Sequence, residues 1–333
     1  MHAVRSDTDV IDSSVPVLDS FSDRTVVLST HGLTKDFKRL RAVDQLDLSV
    51  CRGDVFGFLG PNGAGKTTTI RMMLDIFHPD SGEISILGGH LDEARKDRIG
   101  YMPEERGLYR DIKLEPMLIY LATLKGLTQS EARQRLDGWL KRLDLYDHRN
   151  KKVEQLSKGM QQKAQVIATL LHEPDLIIVD EPFAGLDPVN TRLVQEIFEE
   201  QRAAGKAIIM STHIMHQVEE LCTRIVLIDK GQAVLYGDVR DIKRNAAGNA
   251  VRIEGQGEFG QLDGVLDARR VNSGWQMALA PGTGPQDILR QLAASDTFRL
   301  QRFEIAEPSL DDIFVSVVQG KEGADQQGQF HLT

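Results

Sequence analysis

From residue 25 onward, hydrophobic positions fall into short runs separated by stretches of helical periodicity. Residues 26–28 and the alternating stretch 43–50 predict strands, and Val55-Phe56-Gly57-Phe58-Leu59 is an apolar run ending in a glycine-rich loop, the pattern of a buried strand. Residues 83–87, 176–179, 207–210 and 225–228 repeat the pattern, each short and rich in Ile, Val or Leu. Between them, Thr128-Gln129-Ser130-Glu131 forms a capping box that opens a helix through Leu143, with Leu136, Leu140 and Leu143 on one face. Strands alternating with helices predict an α/β fold with a largely parallel sheet. After the loop-like Asn245-Ala246-Ala247-Gly248-Asn249 the rhythm changes. Strands are expected at 251–254, 265–271, 275–280 and 298–305, with a helix at 286–294 and another from Ser309, capped with Asp312 and striped by Leu310, Ile313, Phe314 and Val317. The expected organisation is therefore a disordered extension over 1–24, an α/β domain over 25–246, a small α+β module over 249–320 and a flexible tail over 321–333.

Composition supports two domains. The chain has 333 residues, 41% of them hydrophobic and 27% charged, enough to bury a core. Forty basic residues against 49 acidic ones give a net charge of −9, and with 6% aromatics this argues against a nucleic-acid partner. Two cysteines, Cys51 and Cys222, lie among apolar neighbours and read as buried thiols. No run approaches the length of a membrane span.

Two stretches carry chemistry. Gly60-Pro61-Asn62-Gly63-Ala64-Gly65-Lys66-Thr67 matches G-x-x-x-x-G-K-[ST], placed after an apolar strand and before a helix starting near Lys66. Glycines let successive backbone N–H groups converge on phosphate oxygens, and the helix N-terminus adds its dipole. Lys66 is expected to reach the β- and γ-phosphates and Thr67 to hold Mg²⁺ through its hydroxyl. The second stretch is Leu176-Ile177-Ile178-Val179-Asp180-Glu181, a buried strand ending in two acids. One acid there can hold Mg²⁺ through water, and its neighbour can polarise an attacking water.

With these motifs the chain resembles an ATP-binding cassette (ABC) ATPase over about residues 25–244. Leu156-Ser157-Lys158-Gly159-Met160-Gln161-Gln162 is similar to that family's signature, usually Leu-Ser-Gly-Gly-Gln, with Lys158 and Met160 at its third and fifth positions. Gly185-Leu186-Asp187-Pro188 resembles the D-loop, Ser211-Thr212-His213 the switch histidine, and Tyr101-Met102-Pro103-Glu104 the glutamine loop with an acid, Glu104, in place of Gln. Phe37, after Thr34-Lys35-Asp36, matches the aromatic that stacks on adenine, core packing being its alternative role. The resemblance implies an ABC cassette with a mixed, largely parallel sheet and a helical subdomain, and an ATPase using ATP and Mg²⁺. Nucleotide contacts would come from Phe37, Gly60, Pro61, Asn62, Gly63, Ala64, Gly65, Lys66, Thr67, Thr68, Ser157, Gly159 and Asp187, and Thr67, Glu104 and Asp180 would serve the metal. Glu181, His213 and Lys66 would be catalytic.

In this family two cassettes pair head to tail, so the resemblance implies a second ATPase subunit as partner, forming a homodimer in which Ser157 and Gly159 reach the partner's nucleotide. The stretch Pro103 to Tyr109 and the C-terminal Glu307-Pro308-Ser309-Leu310-Asp311-Asp312-Ile313-Phe314 resemble the sodium-extruding or ABC-2-type export subgroup. That implies export through a separate integral-membrane permease, with the chain on the cytoplasmic face of the plasma membrane and Arg106 and Tyr109 as candidate permease contacts. The alternatives are a soluble ABC ATPase of translation or DNA repair and a non-catalytic regulatory cassette. The single cassette and the 91-position offset from Lys66 to Ser157, without sustained heptads, weigh against the first, and the retained Lys66, Asp180, Glu181 and His213 against the second.

Overall fold

The computed structural model describes residues 24–317 except 39, 106, 247–249, 257–261, 272–273, 281, 295–298, 307 and 316. The expected tail and, but for Arg24, the expected N-terminal extension lie outside the described residues, as does Arg106. Two compact units emerge: one runs to Ser211 and includes Val226–Tyr236, and the other combines Thr212–Ile225 with the chain from Gly237 onward.

The first unit is organised by a six-stranded sheet. Its order is β5-β6-β7-β3-β8-β9, where β3 is Val55–Leu59, β5 Ile99–Met102, β6 Leu176–Asp180, β7 Ala207–Ser211, β8 Arg224–Asp229 and β9 Gln232–Asp238. β5, β6, β7 and β3 run parallel to one another. Every residue of β3, β6 and β7 is buried, which is why these strands read as continuous apolar runs rather than alternating ones. A separate antiparallel sheet is built from β1 (Val26–Phe37), β2 (Leu40–Cys51) and β4 (Ser81–Ile86), in the order β2-β1-β4. Both sheets share one core: Leu28, Leu46 and Ile86 cluster with Phe56, Phe58, Ile70, Ile178 and Ile209.

Helices α1 (Lys66–Met73) and α2 (Glu93–Lys96) follow β3 and β4, and a helical subdomain comprises α3 (Leu114–Thr123), α4 (Gln129–Arg142) and α5 (Lys158–Leu170). The capping box opens α4 as expected: Thr128 Oγ1 accepts from Glu131 N at 3.2 Å, and Glu131 Oε2 accepts from Thr128 N at 2.8 Å. Leu136, Leu140 and Leu143 are buried. Helix α6 (Pro188–Ala203) leads to β7.

The second unit holds α7 (Met215–Leu221), α8 (Val239–Ala246) and a four-stranded antiparallel sheet in the order β11-β12-β10-β13, with β10 Ala250–Gln256, β11 Val265–Val271, β12 Gly274–Leu279 and β13 Arg299–Ile305. One face of the sheet packs Val251, Ile253, Met277 and Leu279 on Ile288 and Leu292 of α9 (Pro285–Ala294). Ser309 caps the helical residues 310–315, its Oγ 2.6 Å from Asp312 Oδ2. Both cysteines are buried and neither forms a disulfide, and burial pushes the Cys222 thiol well above its ordinary range. Among the described residues no helix is long and apolar enough to cross a membrane.

Candidate functional site

The C-terminal ends of the parallel strands present the reactive side chains. β3 runs into the loop 60–65, and α1 begins at Lys66 directly behind a left-handed N-cap, Gly65, at φ 111°. A Cβ on Gly65 would lie 2.3 Å from the carbonyl oxygen of Ala42, so glycine is needed there for space as well as for conformation. Lys66 is buried and folds back over the loop, its Nζ donating to the Gly60 and Pro61 carbonyls at 2.6 and 3.0 Å. Burial lowers its pKa, opposed by Glu181, Asp180 and Glu104 in that order. Three carboxylates thus act electrostatically on one ammonium.

Strand register explains their convergence. β6 lies between β5 and β7, with Val179 opposite Met102 and Asp180 opposite Ser211. Asp180 ends β6, buried, and Glu104 follows β5 by two residues, exposed. Burial raises the Asp180 pKa, helped by Glu104 and Glu181 and opposed by the nearby Ser211 hydroxyl and by Lys66. Glu181 occupies a left-handed conformation, φ 48°, uncommon for a residue with a Cβ. Its N–H donates to the Ser211 carbonyl at 2.9 Å, so the chain leaves the sheet at this residue. Thr67 and Thr68, in the first turn of α1, are half-buried.

Several remaining candidates stand at helix starts. Ser157 is exposed and caps α5, its Oγ accepting from Met160 N at 3.2 Å. Gly159 lies in that first turn, where a Cβ would be 3.3 Å from the Gly185 carbonyl, so signature and D-loop pack together within one chain. Asp187 caps α6, with Oδ1 accepting from Val189 N and Asn190 N, both at 3.0 Å, and these bonds with Asn190 hold its carboxyl below the usual range. Phe37 ends β1, 40% exposed and edge-on to Phe77 with centroids 5.7 Å apart. It pairs with Leu40, two residues before the Ala42 that touches the phosphate loop. His213 is exposed, two residues beyond the end of β7, on the segment grouped with the second unit.

One residue that the structure brings to the site went unassigned in the sequence. Gln162, buried in α5, donates from Nε2 to the carbonyls of Glu181 at 3.3 Å and Pro182 at 2.8 Å, bracing the turn that bears Glu181. The adjacent Gln161-Gln162 pair was visible, but nothing in the pattern distinguished the inward-facing one.

The sequence profile of the ABC transporter family matches residues 43–184, and that of the C-terminal domain of DrrA1-3-like ATP-binding proteins matches residues 237–318. The uncharacterized ABC transporter ATP-binding protein YhaQ of Bacillus subtilis is 42% identical over 88% of this chain and 98% of its own length. Nod factor export ATP-binding protein I of Ralstonia nicotianae is 32% identical over 90% of this chain and 96% of its own. A solved structure described as the ATP binding subunit of an ABC transporter superposes with a TM-score of 0.63 at 34% identity, covering 66% of this chain and 93% of that one. The relatives are transporter ATP-binding proteins, which favours that reading over the soluble alternative. The chain belongs to the ABC transporter ATP-binding proteins, a family that binds and hydrolyses ATP.

Proposed function

We propose that this chain drives export through a separate membrane permease, working as a head-to-tail dimer on the cytoplasmic face of the membrane. The observation that carries the reading is the convergence of Lys66 with Glu181, Asp180 and Glu104 at the ends of adjacent strands, on a chain aligned over most of its length with a Nod factor export protein.

Among the described residues no three acidic, His or Cys side chains gather closely enough to hold a metal ion by themselves; with oxygens supplied by the nucleotide's phosphates, Thr67, the buried Asp180 and Glu104 are the residues that would hold Mg²⁺. The ion supplies charge neutralisation to the β- and γ-phosphate oxygens. The chain's own groups do the rest. Backbone N–H groups of residues 63–68 cradle the phosphates, Lys66 exchanges its two loop carbonyls for phosphate oxygens, and Phe37 stacks on the base. Glu181 accepts a hydrogen bond from the in-line water, and His213 contacts the γ-phosphate. Ser157 and the amides at the exposed start of α5 serve the nucleotide of the second copy.

Residues 105–109 follow Glu104 and are the proposed permease contact. Gly107 and Leu108 line an apolar cavity of about 320 Å³ together with Tyr101, Pro103, Leu121 and Leu124 among others. Movement of Glu104 with the γ-phosphate would be passed to whatever docks there.

The test is complementation. Lys66→Ala and Ser157→Ala each abolish turnover alone, and an equimolar mixture, at concentrations where dimers form, regains activity from mixed dimers holding one intact site. A mixture no more active than its components rules out a site shared between copies.

A further inference from the structure

Residues 212–225 begin with the His213 stretch and continue into α7, and they group with the C-terminal chain. One acid ties that grouping together with both of its oxygens. Glu219 Oε2 lies 2.9 Å from the Nζ of Lys243 on α8, and Oε1 accepts from the backbone N–H of Leu310. Leu310 opens the helical residues 310–315, so its N–H has no partner within that helix. The Glu219 and Lys243 side chains are only 26% and 20% exposed. Met215, Val218 and Cys222 are buried, as are Val239, Ile242, Leu310 and Ile313 from the three elements that Glu219 joins.

Helix α7 is short and has no side-chain cap. A helix of that length does not hold itself in water, so its direction is set by what it is bonded to. Charge-assisted hydrogen bonds are the strong ones available, and two of them meet at Glu219. We propose that Glu219 is a positioning residue for ATP hydrolysis: it fixes the segment bearing His213 to the C-terminal module through Leu310 and Lys243. The module thereby sets turnover and leaves nucleotide affinity, which rests on the phosphate loop, unchanged. The proposal depends on the reading of His213 as a γ-phosphate contact.

The experiment compares wild type, Glu219→Ala, Glu219→Gln and His213→Ala as full chains, measuring kcat, KM for ATP and amide hydrogen exchange. Glu219→Ala is expected to lower kcat roughly five- to tenfold, the scale set by loss of a charge-assisted pair, with KM within about twofold. Exchange should rise over residues 212–222 and 309–315 alone. Glu219→Gln keeps an acceptor for the Leu310 N–H but loses its charge toward Lys243, and should fall between Glu219→Ala and wild type; it carries the test if the alanine variant does not fold. A kcat within about twofold of wild type in both variants overturns the proposal, as does a loss accompanied by raised exchange throughout the cassette. A His213→Ala protein as active as wild type overturns the histidine reading instead, and an inactive wild type overturns the proposed role as an ATP-driven subunit.

Discussion

Glu181 holds a backbone conformation that costs an L-residue about 1–2 kcal/mol, and its neighbours explain why the conformation persists. Its N–H is bound by the Ser211 carbonyl, and its own carbonyl accepts from Ala184 N at 3.2 Å. The next carbonyl, of Pro182, accepts from the buried Gln162 Nε2. The strain is thus balanced by bonds from three directions, and the carboxylate is aimed by the backbone as well as by its rotamer. Replacing Gln162 by Leu keeps the volume roughly constant and leaves the Pro182 carbonyl without that donor. The expected cost is about 1–3 kcal/mol, read as a lower midpoint in denaturant. Turnover should fall while ATP affinity, measured by equilibrium binding, stays as in wild type. Unchanged turnover would mean that the remaining bonds suffice to hold the turn.

Ser157 has two roles at the level of its helix, and the usual alanine substitution confounds them. Its hydroxyl caps α5, and an N-cap Ser→Ala change costs about 1 kcal/mol whatever happens at the nucleotide. Asp caps as well as Ser but puts a negative charge where a phosphate of the partner's nucleotide is proposed to sit. Ser157→Asp should therefore melt within a degree or two of wild type and yet lose turnover, whereas Ser157→Ala should lose both. An active Ser157→Asp protein would remove Ser157 from the phosphate site. How legible an element was in the sequence follows the same local logic. The α4 capping box and the buried strands β3, β6 and β7 carry their signals within a few residues, and all were anticipated. β5 was not anticipated, because Gly100 interrupts its four-residue run: a Cβ there would lie 2.4 Å from the Thr169 carbonyl of α5, a constraint that only the packed structure reveals. β9 sits at the sheet edge, half-buried throughout its inner length, and shows no alternation. β1 extends to Phe37 beyond the apolar start that marked it, held by pairing with β2 and not by its own polar residues.

At the scale of the whole molecule the candidate site was largely legible, because phosphate chemistry dictates its residue types at fixed spacings. The grouping of the His213 segment with the C-terminal unit was not, since it depends on contacts between residues about 90 positions apart, such as Glu219 and Leu310. One consequence of the proposed site can be tested only on the assembled protein. Phosphoryl transfer leaves the protein little covalent work, so each residue either positions the water or offsets charge. In the proposed site Lys66 and the signature of a second copy, Ser157 with its helix start, would do the second, and the carboxylate of Glu181 would do the first. Glu181→Gln preserves shape and hydrogen-bonding reach but loses the basic lone pair, so ATP should still bind while hydrolysis falls roughly 10²–10⁴-fold. An intact nucleotide between two cassettes contributes its phosphate contacts to both, and whatever binds only the paired state shifts the equilibrium toward it. The variant should therefore elute as a dimer when ATP is present and as a monomer when it is absent, while wild type returns to monomer as ATP is consumed. If Glu181→Gln hydrolyses ATP within a few-fold of wild type, the water is positioned by another carboxylate, and Glu104, which also acts electrostatically on Lys66, is the next to replace.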